Sequence, residues 1–126
     1  MPPSGPTTTA RGALVERAAR RHLCAHGLRV LHANYRCRAG EIDLVAMDGA
    51  TLVFVEVRYR ARRDYGGALE SVTRGKQRRI VAAAEHFLAA HADRELPPCR
   101  FDVVTVEPPA SGGPARITWI RDAFDA

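Results

Sequence analysis

The segment Gly40–Arg58 constrains the fold most, because it contains two apolar runs with the alternation typical of β-strands. An Asp48–Gly49 pair lies between the runs, and this dipeptide between alternating hydrophobic residues is a strong hairpin signal. Each run also carries carboxylates in its middle, where strands usually place Val or Thr. The sequence therefore predicts a hairpin with acidic side chains inside its strands.

The register of this hairpin decides whether its acidic residues meet. A two-residue turn at Asp48–Gly49 places Glu41 opposite Glu56. Period-2 alternation then puts four side chains on one face, namely Glu41, Asp43, Glu56 and Arg58. A three-residue loop would instead shift the register by one residue and separate Asp43 from Glu56. With the two-residue turn, the carboxylates lie about 4.5 to 8 Å apart, and we expect a divalent cation to offset their repulsion.

Length and composition indicate one ordinary globular domain. The 126 residues are 46% hydrophobic and contain no apolar run near the roughly 20 residues that span a bilayer. No signal-peptide-like apolar segment follows the start, so we expect a cytoplasmic protein without a membrane partner. Residues 1–10 are rich in Pro, Ser and Thr and are expected to form a disordered tail before a single domain over 11–126.

The charge distribution indicates a phosphate-rich partner. The formal net charge is +5, and Lys76 is the single lysine among 19 basic residues. Clustered arginines on a basic domain suit a nucleic acid, most simply DNA. The alternative is that arginine simply replaces lysine throughout this chain. The predicted nucleic-acid contacts are Arg36, Arg60, Arg62, Arg63, Arg74 and Arg78.

Hydrophobic periodicity completes the element order. The predicted elements are helices over 11–26 and from Thr73 onward, and strands over 28–35, 40–46, 52–58, 101–106 and 116–120. Gly27 is a natural C-cap for the first helix, and Thr73 a natural N-cap for the second. Asp102, near the start of the fourth strand, is expected to fix a loop or to pair with an arginine. The resulting α-β-β-β-α-β-β order predicts an α/β fold, in which a mixed sheet is flanked by helices and the fourth strand runs parallel to the third.

Several motifs together resemble the YraN-like family of uncharacterised bacterial proteins. They are Gly12-x3-Glu16, Asn34-x-Arg36, Gly40-Glu41-Ile42-Asp43-Leu44, Val53-Phe54-Val55-Glu56-Val57-Arg58, Tyr65-Gly66, Val72-Thr73-x2-Lys76, Arg100-Phe101-Asp102-Val103-Val104 and Trp119-Ile120-x-Asp122-Ala123-Phe124. That family is in turn similar to Holliday-junction resolvases and other PD-(D/E)xK nucleases. The resemblance therefore implies a restriction-endonuclease-like core and a metal-dependent endonuclease acting on DNA, with branched or structured DNA among its substrates. Resolvase relatives are typically dimers, so it also implies a homodimer.

In such nucleases an acidic residue on one strand and an acid-x-lysine motif on the next bind magnesium. By this resemblance, Asp43 and Glu56 are ligands of Mg²⁺ or Mn²⁺. Val57 would supply a main-chain carbonyl, Glu16 would hold the metal through water, and Glu41 is a weaker candidate at the strand end. Alternatively, Asp43 and Glu56 are solvated residues paired with neighbouring arginines, and Glu16 forms an ordinary helix pair with an arginine one turn later.

Arg58 departs from the nuclease pattern, which has a lysine at this position. Arginine stays charged at any working pH, so Arg58 could orient the scissile phosphate or stabilise its charge but is a poor proton carrier. Lys76, at the start of the second helix, is the candidate to take over from the missing lysine. The alternative is that Lys76 is an ordinary phosphate contact or surface charge.

Three functions are compatible with these residues. The first is a metal-dependent endonuclease, in which the cation activates water and neutralises phosphate charge. The second is a nucleic-acid-binding module that keeps the nuclease fold without efficient catalysis. The third is a protein-interaction or scaffold protein whose carboxylates form salt bridges. Metal-dependent cleavage separates the first from the others, and salt-sensitive DNA affinity separates the second from the third.

Overall fold

A computed structural model describes residues 8–60, 72–91, 96–107 and 113–126. Its elements are α1 (Thr8–Ala25), β1 (Arg29–Cys37), β2 (Gly40–Asp48), β3 (Thr51–Tyr59), α2 (Arg74–His91), β4 (Cys99–Glu107) and β5 (Arg116–Phe124). The strands form one sheet in the order β1-β2-β3-β4-β5, and only β3 and β4 pair in parallel. The predicted α/β fold, its element order and the parallel fourth strand are therefore confirmed. Neither α1 nor α2, the two helices of these ranges, is long and apolar enough to span a membrane.

Two apolar cores lie on opposite faces of the sheet, because successive strand residues point to opposite sides. The α1-side core contains Val15, Ala19, Leu23, Leu44, Ala46, Val53, Val55 and Val104. The α2-side core contains Ile42, Val45, Phe54, Ile80, Ala84, Phe87 and Val103. Since β3 contributes to both cores, a polar side chain within it must find a partner or carry a cost.

The helix ends follow the predicted capping residues. Gly27 has a φ of 92°, and the N–H of Leu28 donates to the carbonyl of Leu23 at 3.1 Å, which is the Schellman pattern. At the start of α2, the N–H of Lys76 donates to Oγ1 of Thr73 at 3.2 Å. Helix α1 begins at Thr8, so residues 8–10 are helical rather than part of the predicted tail, and residues 1–7 lie outside the described ranges.

Gly40 lets β2 approach α2 closely. A Cβ atom at this position would lie 2.7 Å from the carbonyl oxygen of Arg79, a distance that real Cβ atoms essentially never show. Because that neighbour is main chain, a side chain could be accommodated only by moving the helix. Gly40 therefore fixes how near the first turns of α2, including Lys76, lie to the start of β2.

The predicted hairpin exists, but its predicted register is wrong by two residues. The loop is Gly49–Ala50, and Asp48 pairs with Thr51. Gly49 has a φ of 60°, and a two-residue turn with glycine first is the type II′ pattern, so the turn starts one residue later than predicted. Glu41 lies beyond the end of the β2–β3 ladder and so is not paired with Glu56; on the other edge of β2 it pairs with Arg36 of β1. The ladder ends at the Leu44–Val55 pair, and Asp43, the next residue of β2 away from the turn, lies at the level of Glu56.

The prediction that the acidic residues share one face is also wrong, because β2 loses its alternation at Asp43. Ile42 packs in the α2-side core, whereas Leu44, two residues later, packs in the α1-side core. Regular alternation would put both on one face. On β3 the alternation persists, so Glu56 lies on the same face as Phe54, toward α2. Asp43 therefore sits at the break, between the two faces.

Candidate functional site

Asp43 lies where β2 and β3 separate. Beyond the Leu44–Val55 pair, the N–H of Val57 donates to Oδ2 of Asp43 at 2.7 Å and so finds a side-chain acceptor in place of a strand carbonyl. This bond fixes the carboxylate in the gap between the strands. An ionised carboxylate offers about four lone-pair sites, so Asp43 keeps capacity for a further ligand.

Glu56 is buried on β3 and pairs with the single lysine of the chain. Its residue is only 4% exposed, and Nζ of Lys76 lies 3.2 Å from its Oε1. Burial is the main cause that raises the pKa of Glu56 from 4.5 to about 7, and the charge of Asp43 is the second. Lys76 and Arg58 oppose this shift. Near neutral pH the Glu56 carboxyl is therefore poised between its charged and neutral forms.

The pKa of Asp43 is also raised, because burial and neighbouring carboxylates outweigh the groups that favour its charged form. Burial is the largest cause that raises its pKa, and the carboxylates of Glu41 and Glu16 raise it further. The Val57 N–H and the charge of Lys76 lower the pKa without reversing the shift. The two central carboxyls thus receive less positive charge than their ionised forms require.

The donor set around Asp43 and Glu56 fits a magnesium-like ion. Within residues 8–60, 72–91, 96–107 and 113–126, no group of three or more His, Cys, Asp or Glu side chains is arranged to hold a metal. Mg²⁺ is usually held by only one or two carboxylates and keeps several waters. Two carboxylates whose negative charge is only partly offset by neighbouring groups are therefore enough protein ligands for it. Val57 lies beside Glu56 and contacts Asp43, which places main chain within the same site. Zinc, by contrast, requires more protein ligands.

Glu16 of α1 reaches the same site and is held there by Asn34. Nδ2 of Asn34 donates to Oε2 of Glu16 at 3.1 Å. Both residues line a depression of about 460 Å³ on the α1 side that also contains Asp43 and Val57. Asn34 has a φ of 54°, a left-handed conformation that Asn tolerates better than most residues. Asn34 belonged to a quoted motif but was not predicted as a site residue.

Glu41 lies farther out, on the α2 side of the site. Its Oε2 is 3.4 Å from Nε of Arg36, and both side chains are more than half exposed, so this ion pair contributes little to stability. Glu41 and Arg36 line a depression of about 400 Å³ together with Lys76 and Arg79. Three cationic groups therefore surround this opening, of which Arg79 was not predicted.

The structure separates the predicted nucleic-acid contacts into different groups. Arg36 is exposed on β1, and Arg74 and Arg78 are exposed one turn apart on α2. Arg58, predicted as a phosphate-orienting residue, is half-buried on β3. Arg60 has a side chain only 13% exposed, with Nη1 3.9 Å from Oε1 of Glu107. Its position favours an internal ion pair over a phosphate contact. The predicted contacts Arg62 and Arg63 lie outside the described residues.

Comparison with known proteins identifies relatives along nearly the whole chain. The model of the Uncharacterised protein family UPF0102 matches residues 15–106, which include Asp43, Glu56 and Lys76. A UPF0102 protein of Cupriavidus taiwanensis is 54% identical over 123 residues, covering 96% of this chain and 87% of that protein. A UPF0102 protein of Ralstonia nicotianae is 53% identical over 126 residues, covering 97% and 92%. A third, of Pseudomonas fluorescens, is 50% identical over 111 residues, covering 88% and 89%.

Proposed function

The chain belongs to the UPF0102 family, and from the geometry of its site we propose that it is a metal-dependent endonuclease acting on DNA. The family is the one predicted from the motifs as YraN-like, and that prediction is confirmed. The observation that carries the proposal is the meeting of Asp43, Glu56 and Lys76 where β2 and β3 separate. These groups come from two strands and a helix, and Glu56 combines burial with a raised pKa, a combination that is frequent at functional sites.

In the proposed site, Asp43 and Glu56 hold a divalent cation, Mg²⁺ or Mn²⁺, with the carbonyl of Val57 as a further oxygen donor. The bound cation lowers the pKa of a water and neutralises charge on the phosphate. Asp43 is held in place by the Val57 N–H, so the ligand position exists before substrate arrives. Glu16, oriented by Asn34, is the candidate to act through a water molecule.

Lys76 takes the role that the nuclease pattern gives to a lysine on the second strand. Its Nζ lies 3.2 Å from Glu56, so its charge is already at the site. A lysine can position or protonate a reacting oxygen, whereas the guanidinium of Arg58 stays charged. We therefore propose Lys76 as the catalytic lysine and Arg58 as a phosphate-orienting group on the same face of β3.

Exposed arginines around the site are the proposed contacts to the DNA backbone. Arg36 and Arg79 line the opening beside Lys76, and Arg74 and Arg78 extend the basic surface along α2. Such contacts give affinity that falls steeply with salt but carries little sequence information. Branched or structured DNA is the proposed substrate, and a homodimer would allow two strands to be cut.

The direct test is cleavage of labelled four-way-junction, flap, single-stranded and duplex DNA with Mg²⁺ or Mn²⁺. We expect Asp43→Asn and Glu56→Gln to reduce cleavage by about 10²- to 10³-fold, the range for losing one preorganised electrostatic group. Lys76→Met should behave similarly. Glu85→Gln, which removes an exposed carboxylate elsewhere on α2, is the matched control. Calorimetry with Mn²⁺ adds an independent readout, and unchanged affinity in Asp43→Asn would refute the metal assignment.

A second candidate is a nucleic-acid-binding module without efficient cleavage. The observation in its favour is that Lys76 already supplies a cationic partner to Glu56, so the site is partly neutralised by the chain itself. This function predicts salt-sensitive DNA binding that Asp43→Asn leaves intact, with no cleavage by the unaltered protein. Absence of both binding and cleavage would leave a protein-interaction role as the remaining proposal.

A further inference from the structure

An exposed aromatic ring lies beside the proposed metal ligands and has no role in the function proposed so far. Tyr59, at the end of β3, is 39% exposed. The guanidinium carbon of Arg11 lies 4.5 Å from the centre of its ring. Both residues line the α1-side depression that contains Asp43 and Val57. A cation stacked on an accessible ring next to a phosphodiester site matches the chemistry by which proteins bind nucleobases.

The spacing along β3 places this ring near Asp43, on the α1 side of the proposed site. Val57 and Tyr59 are two residues apart and so lie on the same face, about 7 Å apart along the strand. Val57 is also the residue that anchors Asp43. A phosphate bound to a cation on Asp43 would therefore bring its adjoining nucleotide toward the Tyr59 ring, which lines the same depression.

Stacking on such a ring requires an unpaired base. In a duplex, the faces of each base are covered by its neighbours, and an enzyme must extrude a base before it can contact the face. Single-stranded nucleic acid, by contrast, presents its bases to aromatic and arginine side chains without this cost. The volume of the depression, about 460 Å³, lies in the range of about 300–1,000 Å³ that suits one small ligand.

Building on the nuclease function proposed above, we propose that Tyr59 and Arg11 form a stacking platform for an unpaired nucleobase next to the cleaved bond. The substrate class is then DNA with an unpaired nucleotide at the cut site, as in single strands, flaps and open junctions. Tyr59 supplies the ring, and Arg11 supplies a positive charge that attracts the backbone and rigidifies the ring.

The test measures binding in EDTA, so that it does not depend on cleavage. Fluorescence anisotropy would give the affinity of the full chain for single-stranded and duplex oligonucleotides of equal length. We expect Tyr59→Leu to weaken single-strand binding by about 5- to 150-fold and duplex binding by less than about twofold. Tyr59→Phe, which keeps the ring, should retain single-strand affinity. Arg74→Gln is a phosphate-contact control, expected to weaken both ligands equally.

A second measurement uses the unaltered protein and so does not depend on how the variants fold. A single-stranded oligonucleotide carrying 2-aminopurine should lose fluorescence on binding, because stacking on the ring quenches the base. Absence of quenching, or an equal loss of single-strand and duplex affinity in Tyr59→Leu, would overturn the platform. If cleavage still depended on Asp43 in that case, the nuclease function would stand without it. If quenching occurred and no substrate were cleaved, the platform would belong to a binding module.

Discussion

Two buried carboxylates in this molecule, Asp102 and Glu56, differ in the hydrogen-bond donors and cations that surround them. Asp102 of β4 is fully buried, and its oxygens accept hydrogen bonds from the Arg100 guanidinium, from Nε1 of Trp119 at 2.9 Å and from the N–H of Asp122 at 2.9 Å. Glu56 of β3 is 4% exposed and has Lys76 as its close cation, with its pKa raised to about 7. The two carboxylates are buried to a similar extent, but Asp102 accepts several hydrogen bonds, whereas Glu56 has one close cation.

This difference shows why burial alone does not identify a functional carboxylate. The Asp102 network joins β4 to β5 and has its donors already in place, so it holds the sheet edge together. Among the described residues, Glu56 has Lys76 as its side-chain partner and the like-charged Asp43 nearby, and its pKa stays raised, so its ionised form is only partly compensated. A bound cation, alone or together with a phosphate, would supply the positive charge that these carboxylates lack.

The largest expected effect on stability comes from Asp102. Asp102→Ala leaves Arg100 with fewer partners and removes the acceptor of the half-buried Trp119 N–H, so it should lower the unfolding free energy by about 3–5 kcal/mol. Urea denaturation followed by circular dichroism measures this loss. Glu56→Gln at pH 8 should cost far less or be stabilising. A Glu56→Gln variant destabilised as much as Asp102→Ala would erase the distinction between the two sites.

The pH dependence of stability should report Glu56. Its pKa is about 7 in the folded chain against 4.5 ordinarily, so the folded state binds more protons between these values. The unfolding free energy must therefore fall as pH rises from about 4.5 to 7, by up to about 3 kcal/mol at 1.36 kcal/mol per unit. Denaturation across pH 5 to 8 tests this. Glu56→Gln should flatten the fall, Glu85→Gln should not, and a slope shared by all three proteins would contradict the assignment.

The close contact at Gly40 should matter to the Glu56 site more than to the Asp102 network. Gly40→Ala places a Cβ against the Arg79 carbonyl, so we expect a loss of about 1–3 kcal/mol as α2 shifts. Gly12→Ala is the matched control, because no atom lies within 4 Å of its added Cβ, and alanine is the better helix former. Thermal denaturation should rank Gly12→Ala above the unaltered chain and Gly40→Ala below it. The reverse order would mean that α2 is not held at Gly40.

Much of the fold around these two carboxylates could be predicted from the sequence, because it depends on residues that are close together in the chain. Alternation, the Asp-Gly pair, the Thr73 cap and the element order all come from residues close together in the chain. The expectation that Asp102 pairs with an arginine is confirmed by Arg100, two residues away. Asp43 and Glu56 still come close together, because the two-residue error moves Asp43 from opposite Phe54 to the level of Glu56.

The features that could not be predicted from the sequence depend on the exact turn geometry or on contacts between residues far apart in the chain. The turn began at Gly49 because glycine took the left-handed position, and the choice between adjacent turn positions is invisible to alternation. The break at Asp43 and the Asn34–Glu16 bond depend on how β1 and α1 pack around β2. Lys76 could be proposed from the missing lysine on β3, but its 3.2 Å approach to Glu56 requires the tertiary fold.

The smallest expected effect comes from the cap of α2, and it bears on Glu56 without touching Asp102. Thr73→Ala removes the acceptor for the Lys76 N–H, which should cost about 1 kcal/mol and loosen the first turn of α2. Hydrogen exchange should then speed up at Lys76 and Gln77, whose N–H groups both bond to Thr73. Thr73→Ser should restore the protection. Trp119, the single tryptophan, reports on the Asp102 network, so its fluorescence should stay unchanged while exchange at α2 rises. A simultaneous change in both signals would show that the two carboxylate sites respond as one unit.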